Sequence, residues 1–314
     1  MLSIAFSPGV ERTVPRNTAL AHIIRQDDGS SVGVWGEYVL HSAFQPIFAF
    51  KDERLVVIAF EGLMRPFHGE EALSPYIFLS RLAPSDRLDI ETLTRNLHLV
   101  NAAAFLPVEA DIFVNFNPSL FTHQTVVEQA LQDMRSVLDI AGIAPARLVC
   151  EVTEQKSGSR EALRQLVEAL RNCGFRIAVD DYGSDESDMN RIRELRPDII
   201  KFDGRWINRL MDSSAGYGLL SALVANFEAK GIRTVFEGIE QGWQIELTEK
   251  AGVSMMQGFA LARPQIVPEV FAAEDGEQHK AGADPSASKT GPEETDPEPL
   301  DGPARDRSGS SDGE

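Results

Sequence analysis

Residues 161–183 read EALRQLVEALRNCGFRIAVDDYG, and the order of patterns within this stretch decides the fold class. Leu163, Leu166, Val167 and Leu170 recur at three- and four-residue spacing, which places them on one face of a helix. Gly174 stands where that helix must stop, because glycine readily takes the left-handed conformation that closes a last helical turn. A short apolar run, Ile177–Val179, then ends abruptly in two carboxylates, Asp180 and Asp181. The stretch therefore predicts a helix, a glycine stop, a buried strand and an acidic strand end.

The same order recurs on both sides. Short apolar runs lie at Phe44–Phe50, Leu55–Phe60, Ile112–Val114, Leu148–Cys150, Ile199–Ile200, Thr234–Phe236 and Ser254–Met256. Helical stretches separate most of them, including Leu219–Lys230, which ends at Gly231, and Arg191–Leu195, which ends before Pro197. Eight such runs alternating with helices predict a parallel α/β fold, a (β/α)8 TIM-like barrel. An open doubly wound sheet competes with it, but no G-x-G-x-x-G follows the first run.

Composition sets the outer limits. The 314 residues carry a formal charge of −18, with 43% hydrophobic residues and two cysteines. There is enough apolar material for one large core. No apolar run has the roughly 18 residues a membrane helix needs, and the N-terminus lacks the pattern of a secretory signal. Cys150, inside an apolar run, reads as a buried free thiol in a reducing cytoplasm. The acid excess argues against sequence-independent binding to DNA, which requires clustered Lys and Arg. Twelve of the 48 acidic residues fall between residues 273 and 314, against four basic ones. That segment is rich in Gly, Pro and Ser, so it is expected to be a disordered acidic tail. The expected organisation is an extension at 1–40, a barrel at 41–272 and the tail at 273–314. A chain ending at Ala272 is expected to keep its melting temperature within about 2 °C, as a thermal scan would show, because the tail supplies no core.

The strand ends carry the chemistry. The successive apolar runs are followed by Glu61, Asn115, Glu151, Asp180 and Asp181, Lys201, Glu237 and Gln257. In a parallel barrel the strand C-termini open on one face, so these residues converge. Unit charges about 4 Å apart repel by about 4 kcal/mol at an effective dielectric of 20, so five carboxylates there must protonate or hold cations. Oxygen donors and one amide, without Cys or His, suit Mg²⁺ or Mn²⁺ rather than zinc. Adjacent carboxylates at 180 and 181 can serve two ions, the arrangement used for in-line displacement at phosphorus. Lys201 and Arg65 then offer positive charge to a phosphate or an attacking water. The six histidines show no metal-ligand spacing and read as ordinary surface or core residues.

The motifs in order are FQPI (44–47), EGLMR (61–65), VNFNPSLF (114–121), CEVTE (150–154), VDDYG (179–183), IKFD (200–203), FEGIE (236–240) and QGFALARP (257–264). In these the chain resembles the EAL-domain cyclic di-GMP phosphodiesterases, a family of bacterial second-messenger signalling. The resemblance implies a barrel, often a homodimer, that hydrolyses cyclic di-GMP to linear pGpG with two Mg²⁺ or Mn²⁺ ions. By motif, Glu61, Asn115, Glu151 and Asp180 would hold the first ion, with Asp180 bridging to a second completed by Asp181 and Glu237. Lys201 would position the attacking water, and Gln257 would contact the water around the ions. Gln45 and Arg65 would contact the nucleotide phosphate and its surroundings, and Glu154 would steady the loop after Asp181.

Departures from the family pattern stand beside these matches. Gly62 replaces the commoner alanine, Ser184–Asp188 carries extra acids, and LAPSDRLDIE (82–91) lacks the usual acidic-glycine turn. The alternative function is a weak or inactive cyclic di-GMP receptor acting through protein contacts, the tail included. A protein-binding module that ignores the nucleotide is the third reading.

Overall fold

In chain order the backbone forms β1 (Ile23–Arg25), β2 (Ser31–Trp35), β3 (Tyr38–Lys51), β4 (Arg54–His68), β5 (Glu71–Ala72), α1 (Pro75–Arg81) and α2 (Arg87–Phe105). Next come β6 (Asp111–Phe116), α3 (Gln124–Ala141), β7 (Leu148–Thr153), α4 (Arg160–Asn172), β8 (Arg176–Tyr182) and α5 (Met189–Leu195). The last are β9 (Ile199–Phe202), α6 (Gly204–Met211), α7 (Ser214–Glu228), β10 (Arg233–Phe236), α8 (Gly242–Lys250), β11 (Met255–Met256) and β12 (Gln265–Ile266). The computed structural model describes residues 22–121, 123–153, 160–184 and 189–268, so the acidic tail lies outside the described residues.

Strands β3, β4, β6, β7, β8, β9, β10 and β11 hydrogen-bond in a closed ring. Seven of them run parallel. The first, β3, runs antiparallel to both of its ring neighbours, β4 and β11, which differs from the all-parallel expectation. The physical reason is the link from β3 to β4, only Asp52 and Glu53, with φ of 51° and 61°. Two residues with positive φ make a hairpin turn, whereas a parallel crossover needs a dozen or more. Strands β1 and β2 continue the antiparallel pairing outward from the start of β3, with Gly33 opposite Leu40.

The helices cover the barrel with the faces their periodicity dictates. Leu163, Leu166, Val167 and Leu170 of α4 are all buried, and Gly174 follows at φ 85°. In α3 the buried positions are Val127, Ala130, Leu131, Met134, Val137 and Leu138, and Gly142 closes the helix at φ 68°. Asp203, just past β9, caps α6 by accepting a hydrogen bond from the Trp206 amide at 2.8 Å.

Inside the ring each strand contributes one apolar residue to a floor. These are Ile47, Ala59, Phe113, Val149, Ala178, Ile199, Val235 and Met255, each at most 1% exposed. The barrel is thus plugged by packed side chains, as expected for eight strands.

Candidate metal and active site

Side chains alternate along a strand, so the residue two positions beyond each floor residue faces the same interior. On the seven parallel strands those residues are Glu61, Asn115, Glu151, Asp180, Lys201, Glu237 and Gln257. On β3, which runs the other way, the equivalent residue lies two positions earlier and is Gln45. The eight strands therefore stack a polar layer directly on the apolar floor. Glu61, Glu151, Asp180, Lys201, Gln257 and Gln45 in this layer are buried. Asn115 is exposed, although it stands level with the buried Glu151 of the neighbouring strand.

Lys201 is the centre of the layer. Its Nζ lies 2.7 Å from Glu237 Oε1, 3.3 Å from Asp180 Oδ1 and 3.6 Å from Glu61 Oε2, and it also pairs with Glu151 Oε1. Burial disfavours the ammonium, but Asp180, Glu151, Glu237 and Glu61 outweigh that and raise its pKa well above the ordinary lysine value. One lysine does not neutralise the acids around it. Burial, then the charges of Glu61 and Asp180, push the Glu151 carboxyl well above the usual range. Burial likewise raises Glu237 to about 8, against the pull of Lys201. Gln257 Nε2 donates to Glu61 Oε2 at 2.9 Å, fixing that carboxylate in orientation.

Asp181 needs a separate explanation, since strict alternation would turn it away from Asp180. Pairing between β8 and β9 shifts register between Val179 and Tyr182, and Asp181 takes a left-handed φ of 58°. This local distortion brings oxygens of Asp180, Asp181 and Glu237 to within 4.8 Å of one another. Backbone strain of this kind, which costs about 1–3 kcal/mol, collects at functional sites. Burial and the neighbouring Asp180 raise Asp181 to about 6. Gly183 at φ 96° completes the turn, and Trp206 occupies the space its Cβ would need.

The remaining expected residues lie around this centre. Arg65 stands further along the inward face of β4, with Nη1 donating to the Met64 carbonyl at 3.0 Å. Gln45 Nε2 donates to the Ala262 carbonyl at 3.1 Å. Glu154 and the acids at 185–188 lie outside the described residues. A cleft of about 230 Å³ opens over the layer, lined by Gln45, Glu61, Glu237, Gln257 and Phe259. The half-exposed ring of Phe259 at its edge carries the Arg263 guanidinium 4.3 Å from its centroid. Sequence reasoning did not single out this aromatic–guanidinium pair, nor the close approach of Gly258, whose Cβ would overlap the Ile239 backbone.

The donor set fits hard divalent cations. Asp180, Asp181 and Glu237 form a cluster of oxygen ligands, no Cys or His stands in the layer, and Glu151 Oε2 is buried with no hydrogen-bond partner among the described residues.

Among the described residues, His98 on α2 is the one histidine with a large shift. Burial, aided by the positive charge of Arg65, lowers it from 6.5 to about 3. Its folded pKa lies below its unfolded value, so its contribution is full above pH 6.5 and is lost as pH falls toward 3. Between pH 7 and pH 5 the wild type is expected to lose about 2 kcal/mol more than His98→Gln. Urea midpoints at the two pH values measure this, and parallel losses would contradict it.

Fold and site together define a class: a (β/α)8-type barrel whose strand ends gather a carboxylate-rich, metal-type centre around one lysine. Residues 39–264 match the EAL domain family, and the chain belongs to it. Over 124 residues the chain is 32% identical to the probable cyclic di-GMP phosphodiesterase PdeA of Escherichia coli (strain K12), covering 39% of this chain and 17% of that protein. It is 27% identical over 227 residues to the probable cyclic di-GMP phosphodiesterase PdeN of the same organism, covering 71% and 43%. Among solved structures it resembles Klebsiella pneumoniae BlrP1 in a calcium/cyclic di-GMP complex, with TM-score 0.64 and 26% identity over 72% of this chain and 56% of that one. The manganese/cyclic di-GMP complex of the same protein at pH 9.0 gives TM-score 0.64 and 25% identity, with the same coverage. The chain thus spans less than half the length of these two curated relatives. No helix among the described residues is long and apolar enough to cross a membrane.

Proposed function

We propose that this chain is a divalent-metal-dependent phosphodiesterase that hydrolyses cyclic di-GMP to linear pGpG, using two Mg²⁺ or Mn²⁺ ions. One observation carries the reading: eight strands deliver one polar layer in which the carboxylates of Glu61, Glu151, Asp180 and Glu237 surround Lys201, with Asp181 turned in beside them. The cyclic di-GMP and metals bound by BlrP1 in the same fold support the substrate and the cofactor class.

Glu61, Asn115, Glu151 and Asp180 would hold one ion, and Asp180, Asp181 and Glu237 the other. Bound divalent cations at such a centre polarise a phosphoryl oxygen and lower the pKa of water. The chain itself supplies position and charge. The ammonium of Lys201 orients the oxygen of the attacking water by donating to it, and Gln257 keeps the Glu61 carboxylate turned toward the centre. Arg65 and Gln45 hold the phosphodiester at the cleft. Water adds to phosphorus, the bond to one ribose 3′-oxygen breaks, and that oxygen leaves with a proton. Glu154 is assigned the steadying of the loop beyond Asp181.

Incubating purified protein with cyclic di-GMP and either ion, and following pGpG by chromatography, tests this. Product is expected with at least one ion. Binding without turnover with both would make the chain a non-catalytic cyclic di-GMP receptor. A homodimer, a cytoplasmic location and a protein partner for the acidic tail belong to the same proposal. The buried free thiol of Cys150 accords with a reducing compartment, and light scattering tests the dimer.

A further inference from the structure

Gly62 interrupts an otherwise bulky strand, and nothing in its backbone requires glycine. It is absent from the positions of positive φ, yet glycine within a strand costs stability. The reason lies across the β4–α2 interface. Alternation turns Glu61, Leu63 and Arg65 inward and Gly62 and Met64 outward toward α2. Thr94 of α2 meets Met64 there, with Oγ1 3.5 Å from Sδ. A Cβ at position 62 would lie 2.9 Å from both Cγ and Cδ2 of His98 and 3.2 Å from its Cβ. The imidazole occupies the space a side chain would take.

The ring cannot retreat. His98 is 3% exposed, and Ser42 Oγ of β3 lies 2.8 Å from its Nδ1. Ser42 Oγ accepts from Asn101 Nδ2 at 3.1 Å, and Asn101 in turn bonds both the amide and the carbonyl of Ser31 in β2, at 2.8 and 2.9 Å. The ring is clamped between α2 and two strands of the sheet. The Ser42 hydroxyl thus links the ring to the Asn101 side chain in one buried chain of hydrogen bonds.

We propose that His98 is a positioning residue for the metal-type centre: fitted against Gly62, its imidazole sets how far β4 stands from α2, and so where the adjacent Glu61 holds its carboxylate. The inference rests on the reading of Glu61 as a metal ligand. Functional groups must be held to about half an ångström to be effective, and a rigid ring directly behind the ligand's strand provides that support.

Manganese titration by calorimetry, with thermal melting of the metal-free proteins, tests this on wild type, Gly62→Ala, His98→Ala and the double variant. Gly62→Ala is expected to weaken Mn²⁺ binding by about tenfold or more, in the range that loss of a ligand's supporting partner produces. In the His98→Ala background the same substitution is expected to cost less than about threefold, because the added methyl then has room. His98→Ala adds no atoms, so it keeps the test open if Gly62→Ala fails to fold; it too is expected to weaken Mn²⁺ binding. A purely structural role would lower the melting temperatures and leave the affinity of the folded protein unchanged. Unchanged affinity in His98→Ala, or an equal Gly62→Ala penalty in both backgrounds, overturns the proposal while leaving the function above intact. Binding of neither Mn²⁺ nor, in a parallel titration, Mg²⁺ by the wild type overturns both.

Discussion

Lys201→Ala is expected to reduce hydrolysis of cyclic di-GMP by roughly 10³-fold or more, since it removes the central hydrogen-bond donor of the site. The same substitution is expected to destabilise the metal-free protein by about 3–5 kcal/mol, the usual consequence of breaking a buried ion pair. Lys201 and Glu151 are 1% and 0% exposed, and no second lysine or arginine pairs with Glu151 among the described residues. With the ammonium gone, Glu151 and Glu237 must take up protons or face one another unscreened. Added Mn²⁺ is expected to restore part of the lost stability, because a cation again stands among the carboxylates. Urea unfolding with and without Mn²⁺ measures this, and a midpoint equal to that of the wild type would refute the central role of Lys201.

Glu61→Ala is expected to separate function from stability. Loss of a carboxylate that touches the centre directly should weaken Mn²⁺ binding by more than the roughly 10–100-fold typical of an outer supporting partner, and abolish pGpG formation. Yet the charge of Glu61 is one of the causes that raise Glu151 and Glu237, so its removal relieves repulsion in the metal-free layer. The metal-free variant is therefore expected to melt at or above the wild-type temperature, as for other sites where a strained charge cluster is kept for function. Calorimetry and a melting curve on the same sample check both halves. A large drop in melting temperature would mean that Glu61 is chiefly structural.

The two substitutions act on one layer with opposite effects on stability, and the difference follows from counting charges. The layer holds an excess of acid over base. Removing the single base worsens the imbalance, and removing one acid eases it. The acid excess of the chain, which argues against binding nucleic-acid backbones, has a different meaning at this spot. Divalent cations seated among these carboxylates would make the cleft attractive to an anionic dinucleotide.

Much of this was legible in the linear sequence because it depends on local period. The run of helix, Gly174, Ile177–Val179 and paired acids in residues 161–183 is a pattern of near neighbours, and the same pattern repeats strand by strand. Once apolar runs end at Glu61, Asn115, Glu151, Asp180, Lys201, Glu237 and Gln257, closure of a barrel is enough to bring them together. A side-chain period of two makes the residue above each floor position face inward without further information.

The tertiary structure decided what depends on distant partners. The short Asp52–Glu53 turn reverses β3, and only in that reversed direction does Gln45 fall into the same layer as the others. Asp181 joins the cluster because β8 and β9 shift register and the backbone turns left-handed there, against simple alternation. Gly62 looks in the sequence like a weak point in a strand. Its purpose emerges only where α2 lays His98 across it, since steric fit between separate elements leaves no periodic trace in the chain.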